Sequence, residues 1–171
     1  MSALIVYESC FGNTGIVAEQ VAEGLRGAGV ADVRLVLAHE APETVPDGVT
    51  LVVVGAPTHN WGLPGEQTRG QAAQQGAGDA SAAGTGLPSG VKEWIERVAP
   101  SGVACVTFDT SVKSWFAPST AAKAAAKALT RRGFRGAARG TSFYVTDTKG
   151  PLKDGEVDRA RQWGAELATR A

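Results

Sequence analysis

Short apolar runs alternate along this chain with segments whose apolar residues recur at helical spacing. Five runs predict β-strands, and the first and third are almost continuously apolar, as in strands buried on both faces. They cover residues 3–7, 32–37, 50–55, 103–108 and 141–146. Helical spacing or propensity predicts helices at 16–25, 65–75, 91–98, 119–132 and 156–170. Strands that alternate with helices indicate an α/β protein with helices on both faces of a parallel sheet.

The first strand leads into the first helix through a turn of small and polar residues, 8–15. A turn of this kind directs several backbone N–H groups toward one point. The helix dipole adds partial positive charge there. The turn therefore predicts an anion site, most often one for phosphate.

The residues of this turn exclude two common phosphate loops. No lysine follows the glycine, as G-x-x-x-x-G-K-[ST] requires, and the third glycine of G-x-G-x-x-G is absent. The remaining motif, Ser9-x-x-Gly12-Asn13-Thr14, offers neutral donors for a monoester phosphate. It resembles the flavin mononucleotide (FMN) loop S/T-x-T-G-x-T of the flavodoxin family, and Cys10 and Phe11 complete it. Phe11 departs from the threonine or serine usual there. The alternative is an ordinary strand–helix turn capped by Asn13.

The resemblance implies a three-layer, doubly wound, five-stranded parallel sheet with the flavodoxin-like order 2-1-3-4-5. In such a sheet, ligands lie beyond the carboxyl ends of strands 1, 3 and 4. The loops that leave those strands are 8–14, 56–62 and 109–116. All three are chemically unusual, which favours a shared site.

The second loop is expected to contact the flavin ring. Trp61 would cover one face, and the peptide groups of 60–62 would meet the ring edge, with Gly62 allowing backbone rotation on reduction. The alternative is that Trp61 packs against the segment that follows. The expected FMN contacts in this loop are Pro57, Thr58, His59, Asn60, Trp61 and Gly62.

The third loop offers a second aromatic residue, Trp115, to cover the other ring face. The backbone N–H groups of Thr110 and Ser111 would reach the pyrimidine carbonyls, and Lys113 would stabilise an anionic reduced flavin. Alternatively, the aromatic pair closes an edge of the core, which is the better interpretation for Phe116. The expected contacts are Asp109, Thr110, Ser111, Lys113 and Trp115.

Two residues near the expected ring invite chemical roles. His59 is a weak candidate for a proton donor, since histidine titrates near neutrality; a surface histidine without a role is the alternative. A helix N-terminus would lower the pKa of Cys10, but a spacer whose side chain turns away is more usual there. We assign no catalytic residue.

The composition is that of one globular domain spanning 1–171, with a Gly/Ala/Gln-rich insertion at about 63–90 that is either a lid or a disordered loop. Apolar residues make up 43% of the chain, and no run approaches the ~20 residues of a membrane span. We expect a soluble, cytoplasmic protein without membrane contact. Cys10 and Cys105 form no disulfide framework, and no metal site is expected.

The net charge of zero hides a division along the chain. Residues 1–109 hold 12 acids and 5 bases, a balance of −7, whereas 110–146 hold 7 bases and no acid. Such a division can orient a charged partner. Lys123, Lys127 and Arg131 are four apart on one predicted helix, which fits a docking stripe for an acidic partner or nucleic acid, or simply a solvated face. No nucleic-acid motif accompanies them, so we discount that partner.

Three functions remain open. The first is an FMN-binding electron-transfer carrier between a reductase and an acceptor enzyme, which we favour. The second is an FMN-dependent oxidoreductase that reduces a quinone or a similar small acceptor, with the insertion as a lid. The third is a flavin-free scaffold, motivated by Phe11. Whether the chain is an enzyme is therefore left open.

Overall fold

A computed structural model describes residues 1–76, 89–114 and 118–169. The elements in chain order are β1 Ser2–Tyr7, α1 Asn13–Gly27, β2 Asp32–Leu37, β3 Leu51–Pro57, α2 Glu66–Gln74, α3 Val91–Arg97, β4 Ala104–Val112, α4 Ala121–Arg131, β5 Arg135–Val145 and α5 Glu156–Ala168. The five strands form one parallel sheet in the order β2-β1-β3-β4-β5. This order confirms the predicted α/β fold.

The core has two parts, one on each face of the sheet. Alternate residues of β1 supply both, with Leu4 and Val6 on the α3–α4 face and Ala3 and Ile5 on the α1–α5 face. The α1–α5 face also holds an aromatic cluster with centroids about 6 Å apart in edge-to-face geometry, formed by Phe108, Phe143 and Trp163. Helices on both faces give the predicted three layers.

Helices α1 and α5 touch backbone to backbone through two glycines. A Cβ atom at Gly24 would lie 2.0 Å from the carbonyl oxygen of Arg161, and one at Gly164 would lie 2.3 Å from that of Val21. No larger side chain fits at either position. The contact fixes α1, and with it the turn that precedes its first residue.

The last two strands differ most from the sequence prediction. β4 continues to Val112, so Asp109 lies within the sheet, paired with Ser142, instead of in a loop. β5 begins at Arg135, six residues before the predicted start, because its exposed first half still pairs with β4 despite register shifts. Two predicted features, Trp115 with Phe116 and residues 77–88 of the insertion, lie outside the described residues.

The long connections between strands differ in secondary structure. The crossover from β2 to β3 contains turns and no helix, whereas α2 and α3 both lie between β3 and β4. The described helices include none with the length and apolar content that a membrane span requires.

Candidate functional site

The turn between β1 and α1 presents backbone donors that form no hydrogen bond with any described residue. Gly12 is the N-cap of α1 with φ +86°, a conformation that glycine adopts easily, and no side chain caps the helix. Among the residues that the structure describes, the N–H groups of Phe11, Gly12, Asn13 and Thr14 have no hydrogen-bond partner. Four free donors at a helix N-terminus, without an acidic residue in the first turn, match the needs of a phosphate.

The side chains of the same turn mostly hold the loop in place. The Gly15 N–H donates to Ser9 Oγ at 3.3 Å, and Asn13 Nδ2 donates to the carbonyl oxygen of Lys149 at 3.0 Å. The hydroxyls of Thr14 and Thr110 are 2.7 Å apart. These contacts leave the backbone as the main source of phosphate donors, and the donor set fits a phosphate monoester.

Phe11 lines the cavity described below while its ring packs against buried Cys10 and against Ala72 of α2. The departure from the flavodoxin motif at this position thus has a structural reason, since α2 covers the ring. Its backbone N–H remains one of the four free donors.

A cavity of about 570 Å³ opens beside these donors and brings together all three predicted loops. Eleven of the predicted site residues line it: Cys10, Phe11, Asn13, Thr14, Pro57, Thr58, His59, Asn60, Trp61, Thr110 and Ser111. Ser9, Gly12, Gly62, Asp109 and Lys113 are not among its lining residues. The cavity therefore lies at the carboxyl ends of β1, β3 and β4, where the sheet order places ligands.

Residues 59–62 form a tight turn in which His59 and Gly62 exchange two backbone hydrogen bonds, of 3.0 and 2.9 Å. Its two central residues, Asn60 and Trp61, have φ of +46° and +64°. The left-handed conformation thus falls on them and not on Gly62, which was expected to provide the backbone freedom. An exposed tryptophan in this conformation is strained, and strain of this kind concentrates at functional sites.

Two residues assigned to the third loop have other contacts. Asp109 is fully buried in β4, and its Oδ2 accepts a hydrogen bond of 3.3 Å from the N–H of Ala122, in the first turn of α4. Its carboxylate therefore supports the start of α4. Lys113 is exposed, and its Nζ lies 5.7 Å from the ring centroid of Tyr144.

The pKa values of two titratable groups in the cavity differ from the sequence-based expectation. His59 is half-buried, and burial, followed by the charge of Arg69, lowers the pKa of its imidazole. It is therefore partly covered and not a fully exposed surface histidine, and the lowered pKa favours its neutral form, which weakens it as a proton donor. Burial, followed by the charge of Glu8, raises the pKa of Cys10 to about 12, which is opposite to the lowering expected at a helix N-terminus.

A buried ionic network beside the site escaped the sequence analysis. Arg69 of α2 is fully buried, and its guanidinium lies 3.2 Å from Glu8 Oε1 and 2.7 Å from Glu93 Oε1 of α3. The second oxygen of Glu8 accepts from the N–H of Val91 at 3.0 Å. The network joins the turn after β1 to α2 and α3, and burial raises the pKa of Glu8.

This network could not be predicted from the sequence, because Arg69 lies in the Gly/Ala/Gln-rich segment, which has no recognisable motif. It also missed the far wall of the cavity, where α4, β5 and the loop after β5 contribute Lys123, Arg139, Ser142, Tyr144 and Thr148.

Comparisons with known proteins rest on structure alone. No family model matches the chain, and a search of curated proteins found no significant match. A flavodoxin from the domain Archaea superimposes with a TM-score of 0.64 at 16% identity, over 99% of this chain and 98% of that chain. Oxidised flavodoxin 1 of Bacillus cereus gives 0.66 at 16% identity, over 100% and 99%.

Rubredoxin oxygen:oxidoreductase of Desulfovibrio gigas gives a TM-score of 0.60 at 20% identity, over 99% of this chain but 35% of that longer chain. At these identities the likeness establishes the fold and not the activity. The chain therefore has the flavodoxin-like fold, with its five-stranded parallel sheet in the order 2-1-3-4-5.

Proposed function

We propose that the chain binds FMN and acts as an electron carrier between a reductase and an acceptor. The observation that carries this proposal is a group of four N–H donors, residues 11–14, that have no partner within the described residues and adjoin a cavity built by three loops. FMN supplies reversible electron transfer when it is bound. The flavodoxin-like fold supports the assignment by analogy.

In this proposal the backbone at 11–14 holds the phosphate, and the hydroxyl of Ser9 supports the turn. The loops at 57–62 and 110–111 would contact the ring, with Trp61 available to cover one face. Trp61 is 49% exposed, so a bound ring would remove apolar surface from water. Gly12 would shape the phosphate turn through its left-handed conformation and contribute its backbone N–H.

The experiment is a titration of freshly purified protein with FMN, followed by flavin fluorescence. Binding at micromolar concentrations or below is expected, and a colourless protein that leaves flavin fluorescence unchanged would refute the proposal. Photoreduction of the bound flavin then separates the functions. Accumulation of a one-electron-reduced form supports a carrier.

A second function, an FMN-dependent reductase of a small acceptor, is favoured by a smaller cavity of about 270 Å³ that adjoins the first. Phe11, Thr58, His59, Asn60 and Thr148 line both cavities. The smaller one also carries the neutral polar side chains of Thr68, Gln71 and Gln75 from α2 and its end. Rapid turnover of a quinone with a nicotinamide donor, without a one-electron-reduced form, would support this function instead.

A further inference from the structure

Exposed cationic and apolar side chains both line the cavity. Lys123 of α4 and Arg139 of β5 line it, and both are exposed. Val112 at the end of β4 also lines it and is 47% exposed. We call Val112, Lys123 and Arg139 the basic rim. No described residue that lines the cavity carries a carboxylate.

The two cations of the basic rim are not neutralised within the described part of the chain. Arg139 Nη2 donates to Ser142 Oγ at 2.7 Å, and neither Arg139 nor Lys123 forms an ion pair with a carboxylate there. The first turn of α4 adds no free positive charge, because the buried carboxylate of Asp109 accepts from the N–H of Ala122 there. The positive charge of the basic rim is therefore that of the two side chains: residues 110–146 contain no acid, and the preceding Asp109 is fully buried.

We infer that the basic rim docks an acidic protein partner, so that electrons enter or leave through the adjoining cavity. This inference rests on the proposed function, because it names the polarity of the carrier's partner. Complementary charge accelerates encounter and fixes orientation. An apolar centre within a polar margin is the usual composition of a protein interface.

A nucleic acid fits the rim less well. Binding to a phosphate backbone needs a track of many cations, whereas two line this cavity wall. Arg131 lies at the other end of α4, eight residues from Lys123, which is about 12 Å along a helix axis. A track would have to extend away from the cavity, and the exposed Val112 would then have no use.

The first test measures one-electron oxidation of the photoreduced, FMN-loaded protein by ferricyanide, an anion, and by hexaammineruthenium(III), a cation. Each oxidant accepts one electron from the reduced flavin, so the charge near the flavin sets the salt dependence of the rate. We expect the ferricyanide rate to fall with added salt and the hexaammineruthenium rate to rise. At 0.1 M salt, Lys123→Glu and Arg139→Glu should each slow ferricyanide by roughly three- to tenfold.

Arg131→Glu is the matched control, with the same charge change on the same helix. Its distance exceeds the Debye length of about 10 Å at 0.1 M salt, so its rates should stay within about twofold of the parent. If the protein binds FMN but the two oxidants show equal salt dependence, or all three variants slow the reaction equally, the inference is overturned and the proposed function stands. Failure to bind FMN refutes the proposed function instead.

The second test needs no flavin and so separates the two proposals further. The protein without added flavin is titrated with hexaglutamate and, separately, with hexathymidylate, by following its amide NMR signals. Hexaglutamate should shift the signals of Val112, Lys123 and Arg139 and leave Arg131 in place. Stronger shifts with hexathymidylate, or shifts centred on Arg131, overturn the inference, the former in favour of nucleic acid.

Discussion

The phosphate turn should discriminate strongly between FMN and riboflavin, which differ by the phosphate alone. Four N–H groups, those of residues 11–14, have no partner within the described chain, and under the proposal they would donate to the phosphate. A hydrogen bond to a charged group contributes about 1.5–3 kcal/mol. If two of the four bind the phosphate, the gain is about 3–6 kcal/mol, and riboflavin should bind roughly 100- to 10,000-fold more weakly. Fluorescence titrations with both flavins measure the ratio.

Gly12→Ala tests whether the turn is the source of this preference. Gly12 has φ +86°, and a residue with a Cβ pays roughly 1–2 kcal/mol for a left-handed conformation, which the turn can relieve by moving its N–H groups. The preference for FMN should therefore fall by roughly five- to thirtyfold. Gly29→Ala is the control, since Gly29 has φ +90° with no atom near a Cβ and follows the other end of α1. Riboflavin binding to the parent protein within tenfold of FMN, or an equal loss of preference in the Gly29 variant, would refute the reasoning.

Three further predictions concern the protein itself. Glu8→Gln should lower the free energy of unfolding by about 3–5 kcal/mol in urea titrations, because the buried guanidinium of Arg69 loses one of its carboxylate partners. Glu43→Gln, which breaks an exposed ion pair, should cost less than about 1 kcal/mol. Similar losses in the two variants would contradict the role of the network. Gly164→Ala should lower the free energy of unfolding by roughly 1–3 kcal/mol or more in the same assay, since its Cβ would overlap a carbonyl oxygen of α1. Gly27→Ala, which has open space around it, should leave that free energy unchanged. The pKa of His59 lies below its ordinary value of 6.5, so the unfolded chain takes up a proton before the folded chain does, and the free energy of unfolding should fall as the pH drops below about 6.5. His59→Gln should flatten that decline. An unchanged pH profile would show that the imidazole is not buried.

The sheet could be predicted from the sequence because its strands are local signals. Residues 51–56 are buried throughout, and the continuous apolar run had already indicated a central strand. The order of the strands followed from the alternation of elements and from the motif after β1. The ends of β4 and β5 could not be predicted, because Asp109 and the first half of β5 are polar or small and owe their strand conformation to pairing with each other's strand.

The candidate site was predictable to the extent that it consists of loops at strand ends. The topology brings those loops together whatever their details, so eleven named residues line one cavity. The details depend on contacts between distant residues, which no local pattern carries. Asn13 is tied to Lys149, 136 positions away, and Arg69 to Glu8, 61 positions away.

The charge of the cavity shows most clearly why position in the fold outweighs position in the sequence. The four-residue spacing grouped Lys123, Lys127 and Arg131 as one stripe, yet along a helix each step of four moves a side chain about 6 Å toward the amino ends of the strands. Lys123 alone of the three lines the cavity, and its companion there is Arg139, which a different element supplies. A segment with seven bases and no acid therefore places two of them where electrons would pass. If this chain carries electrons, the sign of the partner's charge follows from those two residues and not from the chain's own net charge of zero.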